Sequence, residues 1–177
     1  MSEKLCALKK IGGGIDETEL LNALWGYDFG AQGATVNTTL SAPYRTYEFW
    51  AKVPAKTNYG KCIFSFGGSN STGGAIYLST TNFLLFANGS ILDDNTLSLD
   101  GTKSHHYAIE LGNNVINLYV DKQLVKTYAK NATSAMKTST SFVFGANQSA
   151  PNQENWSGGV MYKLAITQTE NAGDFVL

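Results

Sequence analysis

Residues 105–128 read HHYAIELGNNVINLYVDKQLVKTY. Tyr107 to Leu111 and Val115 to Val120 are two strand-like runs separated by Gly112-Asn113-Asn114, residue types that accept the backbone angles of a tight turn. A second turn at Asp121-Lys122 leads into Leu124-Val125-Lys126-Thr127-Tyr128. Two hairpins in succession are predicted. Upstream, Thr46 to Val53 places Tyr47, Phe49, Ala51 and Val53 on one side of a strand, the period of two that a sheet imposes. Lys61 to Phe66 ends at Gly67-Gly68, and Ala75–Ser79 and Phe83–Ala87 are joined by Thr80-Thr81-Asn82. Shorter runs lie at Tyr27–Phe29 and Thr35–Thr38. Downstream, Ser141–Gly145 and Gly159–Ile166 complete the series. About ten short strands at near-regular spacing predict an all-β antiparallel sandwich or barrel.

Composition supports that reading and removes several function classes. The chain has 177 residues, a length that suits one domain. Charged residues make up 15%, against about a quarter in ordinary domains, while Gly, Ser, Thr and Asn together supply over a third. Polarity is therefore carried by hydroxyls, amides and bare backbone. Aromatics at 12% exclude charge-driven disorder. A net charge of −1 lacks the electrostatic footprint of a nucleic-acid or anionic-membrane binder. No apolar run is long enough to insert in a membrane.

Residues 1–24 read as a flexible lead-in with the triple glycine Gly12-Gly13-Gly14, followed by a short helix from Asp16 to Leu24. Asp16 would cap it, Glu19 holds the capping-box position, and Leu20, Leu21 and Leu24 form its apolar face. The sandwich is expected over residues 25–168 and a tail over 169–177. The first ten residues are too polar for a secretory signal. Cys6 and Cys62 read as two thiols, a disulfide between them being the alternative. Six Asn-x-Ser/Thr sequons, at Asn37, Asn70, Asn88, Asn131, Asn147 and Asn155, read as unmodified loop residues.

Several segments together resemble the concanavalin A-like lectin/glucanase sandwich in its laminin-G-like branch. They are Tyr47-Glu-Phe-Trp50-Ala-Lys-Val-Pro54, His105-His106-Tyr-Ala-Ile-Glu with Asn117-Leu-Tyr119-Val120-Asp121, Phe144-Gly145-Ala146, and Trp156 through Ile166. The resemblance implies a jelly-roll sandwich, with Trp156 in its core. Two positions depart from it. His105 stands where the family often has Trp, and Asp121-Lys122 where it usually has Asp-Gly. A type I′ turn there would hold Lys122 in the left-handed region, which costs a residue with a Cβ about 1 kcal/mol; the alternative is a different turn.

Catalytic chemistry finds little support. Glycosidases need paired carboxylates about 5 Å or about 6.5–9.5 Å apart, and the strand pattern Glu-x-Asp-x-x-Glu is missing. Glu48 and Glu110 are lone acids within their strands and read as solvent-facing. A lyase would set a His or Tyr base beside an Arg. Arg45 is the sole arginine, and His105 and His106 point to opposite faces of one strand. One of the two reads as a satisfied structural histidine. No Gly-x-Ser-x-Gly elbow occurs.

Binding chemistry is better represented. Asp93, Asp94 and Asp100 concentrate carboxylates in a loop, a set that calcium could use and ordinary turns also use. Sugar recognition combines aromatic faces with amides and carboxylates in a shallow site. Tyr59, Asn70, Tyr77, Asn88, Asp93 and Asn95 are the candidates. Phe49 and Trp50 alternate, so one faces away from the core. The expected function is a non-catalytic glycan-recognition domain, such as the receptor-binding part of a bacteriophage tail fibre or baseplate. Its expected partner is a glycan or cell-surface polysaccharide, and its setting a virion or extracellular assembly. A homo-oligomer, trimeric through the N-terminal segment, would fit. The alternatives are a carbohydrate-binding module of a larger secreted polysaccharide-degrading enzyme, and a protein-binding laminin-G-like domain with no sugar site.

Overall fold

A computed structural model describes residues 8–11, 18–28, 34–37, 45–56, 61–66, 74–87, 90–112, 114–129, 141–147, 156–167, 175 and 177. These form two antiparallel sheets. The seven-stranded sheet runs β1 (Leu8–Ile11), β2 (Thr18–Asp28), β13 (Val160–Thr167), β4 (Arg45–Lys52), β9 (His105–Leu111), β10 (Ile116–Val120), β11 (Gln123–Tyr128). The six-stranded sheet runs β3 (Ala34–Asn37), β12 (Ser141–Phe144), β5 (Cys62–Phe66), β6 (Gly74–Leu78), β7 (Phe83–Ala87), β8 (Ser90–Asp94).

Alternation decides what each strand buries. Tyr47, Phe49 and Ala51 of β4 point inward together with Tyr107, Ile109 and Leu111 of β9, and all are fully buried. Phe64, Phe66, Ile76, Leu78, Phe83, Leu85, Phe142 and Phe144 meet them from the six-stranded sheet. Aromatic pairs bridge the layers: Tyr47–Phe64 at 4.3 Å between ring centroids and Phe83–Tyr128 stacked at 5.0 Å. Each buried aromatic contributes about 1.5–3 kcal/mol by leaving water.

Arg45 is wholly buried in this layer, its guanidinium 5.1 Å from the Phe142 ring and its Nη1 donating to the Tyr47 hydroxyl at 3.4 Å. Burial pushes the Tyr47 hydroxyl up to about 12, against the opposing pull of Arg45. An arginine beside a tyrosine is thus present, but neither side chain is open to a substrate. Trp156 is also fully buried, and its indole Nε1 donates to the Leu78 carbonyl at 2.7 Å. It is a core residue, as expected. Cys62 is a buried thiol.

Among the described residues, positive φ occurs at Gly145 and in two turns. Asp121 and Lys122 have φ of 49° and 65°, the double positive φ of a type I′ hairpin turn. The lysine therefore does sit in the left-handed region. The Gly159 N–H donates to the Trp156 carbonyl at 3.0 Å across Ser157-Gly158, with Gly158 at φ 79°, the glycine position of a type II turn.

Two expectations are corrected. Where a helix was expected at 16–24, residues from Thr18 onward lie in strand β2. Leu20 and Leu21 pair with Lys9 and Leu8 of β1 on one side and with Ala165 and Leu164 of β13 on the other. Two neighbouring ladders satisfy more backbone than a helix of two or three turns holds alone, so tertiary pairing overrides helix propensity. Secondly, Asp93 and Asp94 belong to strand β8 rather than to a loop, with Asp94 opposite Phe83 and Asp93 opposite Leu84.

Candidate functional site

The strand register builds one row across the outer face of the six-stranded sheet: Cys62 opposite Tyr77, Tyr77 opposite Leu84, and Leu84 opposite Asp93. Cys62, Ala75, Tyr77 and Leu84 form a small apolar cluster there, separate from the main core. Tyr77 is only 3% exposed, and its hydroxyl accepts a hydrogen bond from Asn147 Nδ2 at 2.8 Å. Asn147 is itself 1% exposed, which makes that sequon a structural amide rather than a glycan acceptor.

At the edge of this row the surface becomes polar. Asp93 is exposed, and its Oδ1 accepts from Asn82 Nδ2 at 2.8 Å and from Asn95 Nδ2 at 2.9 Å. Asn82, buried beneath, also donates to the Asp94 carbonyl at 3.2 Å and to Asn95 Oδ1 at 3.2 Å. The exposed Lys56 ammonium donates to Asn95 Oδ1 as well. Neighbouring loops are tied by backbone bonds, Ser79 N–H to the Asn82 carbonyl at 3.0 Å and Thr80 N–H to the Pro54 carbonyl at 3.0 Å. A carboxylate, an amide and an ammonium thus sit together on a pinned support. That set can accept from and donate to neighbouring hydroxyls of one ligand.

Of the sequence candidates, Tyr77, Asp93 and Asn95 share this face and its edge. Tyr59, Asn70 and Asn88 lie outside the described residues. Asn82, which holds Asp93, and Lys56, which holds Asn95, carry no signal in the sequence: the β7–β8 register sets the first beside the site and the loop joined through the Thr80–Pro54 backbone bond sets the second there.

The three carboxylates considered for calcium do not converge. Adjacent positions on a strand face opposite ways, so Asp94 turns inward where Asp93 turns out. Asp94 Oδ1 accepts from the Thr96 N–H at 2.8 Å and the Thr96 hydroxyl at 2.6 Å, and Oδ2 from the Tyr128 hydroxyl at 2.9 Å. Lys126 Nζ stands 3.5 Å from Oδ2. Burial pushes this carboxyl up, but Thr96, Tyr128 and Lys126 outweigh it and hold the group down at about 2. Burial, together with that same bond, raises the Tyr128 hydroxyl. Asp100 caps Thr102 through its hydroxyl at 2.6 Å and N–H at 2.8 Å, and these bonds above all lower its carboxyl to about 2. Among the described residues no three of His, Cys, Asp and Glu group as metal ligands.

The outer face of the seven-stranded sheet corrects one more expectation. Glu48 and Glu110 are 2% and 4% exposed, not solvent-facing. Glu48 Oε1 lies 2.8 Å from His106 Nε2 and accepts the Leu177 N–H at 2.7 Å. Glu110 Oε2 accepts from Asn117 Nδ2 at 2.7 Å. His106 is thus the buried, hydrogen-bonded histidine, while His105 turns the other way and meets Asp121 Oδ2 at 2.6 Å. Trp50, the outward partner of Phe49, lies 5.7 Å from the His106 ring.

This architecture has a family. A family model described as the concanavalin A-like lectin/glucanases superfamily matches residues 29–170, and the chain belongs to it. A search of curated protein sequences finds no match. Among solved structures, the chain is similar to the CBM40 of the Ruminococcus gnavus IT-sialidase bound to α2,3-sialyllactose, with TM-score 0.60 and 13% identity over 88% of this chain and 94% of that one. It is similar to domain 4 of the Geobacillus stearothermophilus GH43 extracellular arabinanase AbnA in complex with arabinotriose, with TM-score 0.58 and 15% identity over 92% and 75%. The NanB sialidase of Streptococcus pneumoniae also resembles it, with TM-score 0.58 and 11% identity, over 80% of this chain but only 25% of that one. At these identities the likeness establishes the fold.

Proposed function

We propose that the chain is a non-catalytic glycan-recognition domain that binds through the edge of the outer face of its six-stranded sheet. The observation that carries this reading is the exposed Asp93–Asn95–Lys56 cluster braced by buried Asn82. Sugar hydroxyls would donate to Asp93 and accept from the Lys56 ammonium and the Asn95 amide, while a C–H face rests against Leu84. Structures of this fold with sialyllactose and arabinotriose bound support the ligand class. The non-catalytic part rests on the acids: Glu48 and Glu110 are buried in bonds of their own.

The setting we infer is a receptor-binding part of a bacteriophage tail fibre or baseplate, assembled as a trimer through the N-terminal segment. A second reading, a carbohydrate-binding module of a larger polysaccharide-degrading enzyme, is favoured by the sialidase and arabinanase modules that share the fold. A glycan array carrying sialylated, arabinan and bacterial surface oligosaccharides tests the ligand class. Binding should be lost on Asp93→Ala and weakened about tenfold on Asn95→Ala, a loss of about 1.4 kcal/mol. Silence across the array, with both variants folded, would leave a laminin-G-like domain without a sugar site. Light scattering for mass, and the genes flanking its own, separate the two settings.

A further inference from the structure

We infer that the Asp93 site takes a neutral sugar through two adjacent hydroxyls and turns away sugars that carry a carboxylate, an inference that rests on the glycan reading above. The bonds made within the cluster decide what is left for a ligand. Asn95 Oδ1 accepts from Asn82 Nδ2 and from the Lys56 ammonium, which uses both of its lone pairs. Asn95 Nδ2 gives one of its two N–H groups to Asp93 Oδ1, which also accepts from Asn82 Nδ2. Among the described residues nothing bonds Asp93 Oδ2. The cluster therefore offers a ligand one charged acceptor, Asp93 Oδ2, beside donors on Asn95 and Lys56.

A hydroxyl both donates and accepts, and a pair on neighbouring ring carbons answers this set: one donates to Asp93 Oδ2 while the other accepts from Asn95 or Lys56. A carboxylate only accepts. It would leave Asp93 Oδ2 without a donor and set a second negative charge beside it. Asp93 is not free to swing clear, because two amides hold its Oδ1 and its backbone is paired opposite Leu84. Lys56 does not reverse the balance. Its charge offsets that of Asp93, and exposed ion pairs contribute little in water. Two further lysines are committed elsewhere. Lys61, next to Cys62 at the far end of the row, gives its ammonium to the Ser157 carbonyl at 3.0 Å and to the Ser157 hydroxyl at 2.8 Å. Lys126 stands 3.5 Å from the inward Asp94.

Saturation-transfer NMR of the full chain with matched methyl glycosides tests this: glucoside with glucuronide, galactoside with galacturonide, mannoside with mannuronide. The signals that count are those lost on Asp93→Ala. The neutral member of a bound pair should bind at least about tenfold tighter than its acid, the cost of one polar group left unpaired. Its affinity should change less than about twofold between low and high salt, because a neutral ligand feels no screening. Asp93→Asn gives a second readout. Asn82 and Asn95 keep the amide oxygen where Oδ1 stood, so the amide N–H groups point where Oδ2 stood and meet a carboxylate as donors. That variant should reverse the preference within the pair. An acid bound as tightly as its neutral partner, or an affinity that falls with salt, overturns this inference and leaves the glycan reading standing. So does an unchanged preference in folded Asp93→Asn. Silence on every pair overturns this inference, and silence on the wider glycan array overturns the glycan reading as well. Signals that survive Asp93→Ala overturn both.

Discussion

Replacing Gly159 by alanine would put a methyl group where the Trp156 ring stands. A Cβ built there falls 2.6 Å from both Cδ2 and Cε3 and 2.9 Å from Cε2. Ordinary carbon contacts begin about 3.5 Å apart, so the ring must retreat by most of an ångström. It has little freedom to do so. Trp156 is fully buried, and its Nε1 is held by the Leu78 carbonyl. Overfilling a packed core in this way costs about 1–3 kcal/mol, and loss of the indole bond would put Gly159→Ala at the upper end. For a chain of this length that is a fall of roughly 5–10 °C in melting temperature. Gly158 supplies the control. Its φ is +79°, but the nearest atom to an added Cβ is Pro54 Cβ at 3.8 Å. Gly158→Ala therefore meets only the left-handed penalty, about 1–2 kcal/mol. Calorimetry on both variants, with tryptophan fluorescence as the local probe, gives the comparison. A Gly159→Ala protein that melts with the unaltered chain, or above Gly158→Ala, would refute this packing of Trp156.

Two other outcomes follow from single groups. The Asp94 carboxyl is held at about 2 in the folded chain, below its ordinary 3.8, so its stabilisation is fully present above that ordinary value. It is lost as pH falls from about 4 through 2, and Asp94→Asn should lower the neutral-pH melting temperature while flattening that acid limb. An unchanged acid limb would show that the Thr96, Tyr128 and Lys126 contacts do not hold the charge. Lys122→Gly should leave the melting temperature unchanged or raise it, because glycine relieves about 1 kcal/mol of left-handed strain against a weaker exposed contact with Phe175. A clear fall would count against the type I′ turn.

What local geometry controls was readable in the chain. The period of two put Phe49 and Trp50 on opposite faces, with the structure deciding that Phe49 is the inward one, and it sent His105 and His106 to opposite faces. The residues at Asp121-Lys122 marked a turn whose strain the φ values bear out. Asn88-Gly89 between two apolar runs was a hairpin signal of the same kind, and heeding it would have moved Asp93 and Asp94 from a loop onto a strand.

Other features depended on neighbours distant in sequence. Residues 18–28 carry helix-forming leucines and acids, yet β1 and β13 flank them and make them a strand. Asp93 and Asp94 are equivalent acids in sequence. Register alone gives one to Asn82 and Asn95 at the surface and the other to Tyr128 within. Glu48 reads as solvent-facing from its strand alone, but His106 from β9 and Leu177 hydrogen-bond its carboxylate. Turn angles and side-chain alternation are properties of a few consecutive residues, so the sequence by itself determined the all-β sandwich and which residues share a strand face. A polar group's burial, partners and charge depend on what packs over it, and that only the tertiary structure decided.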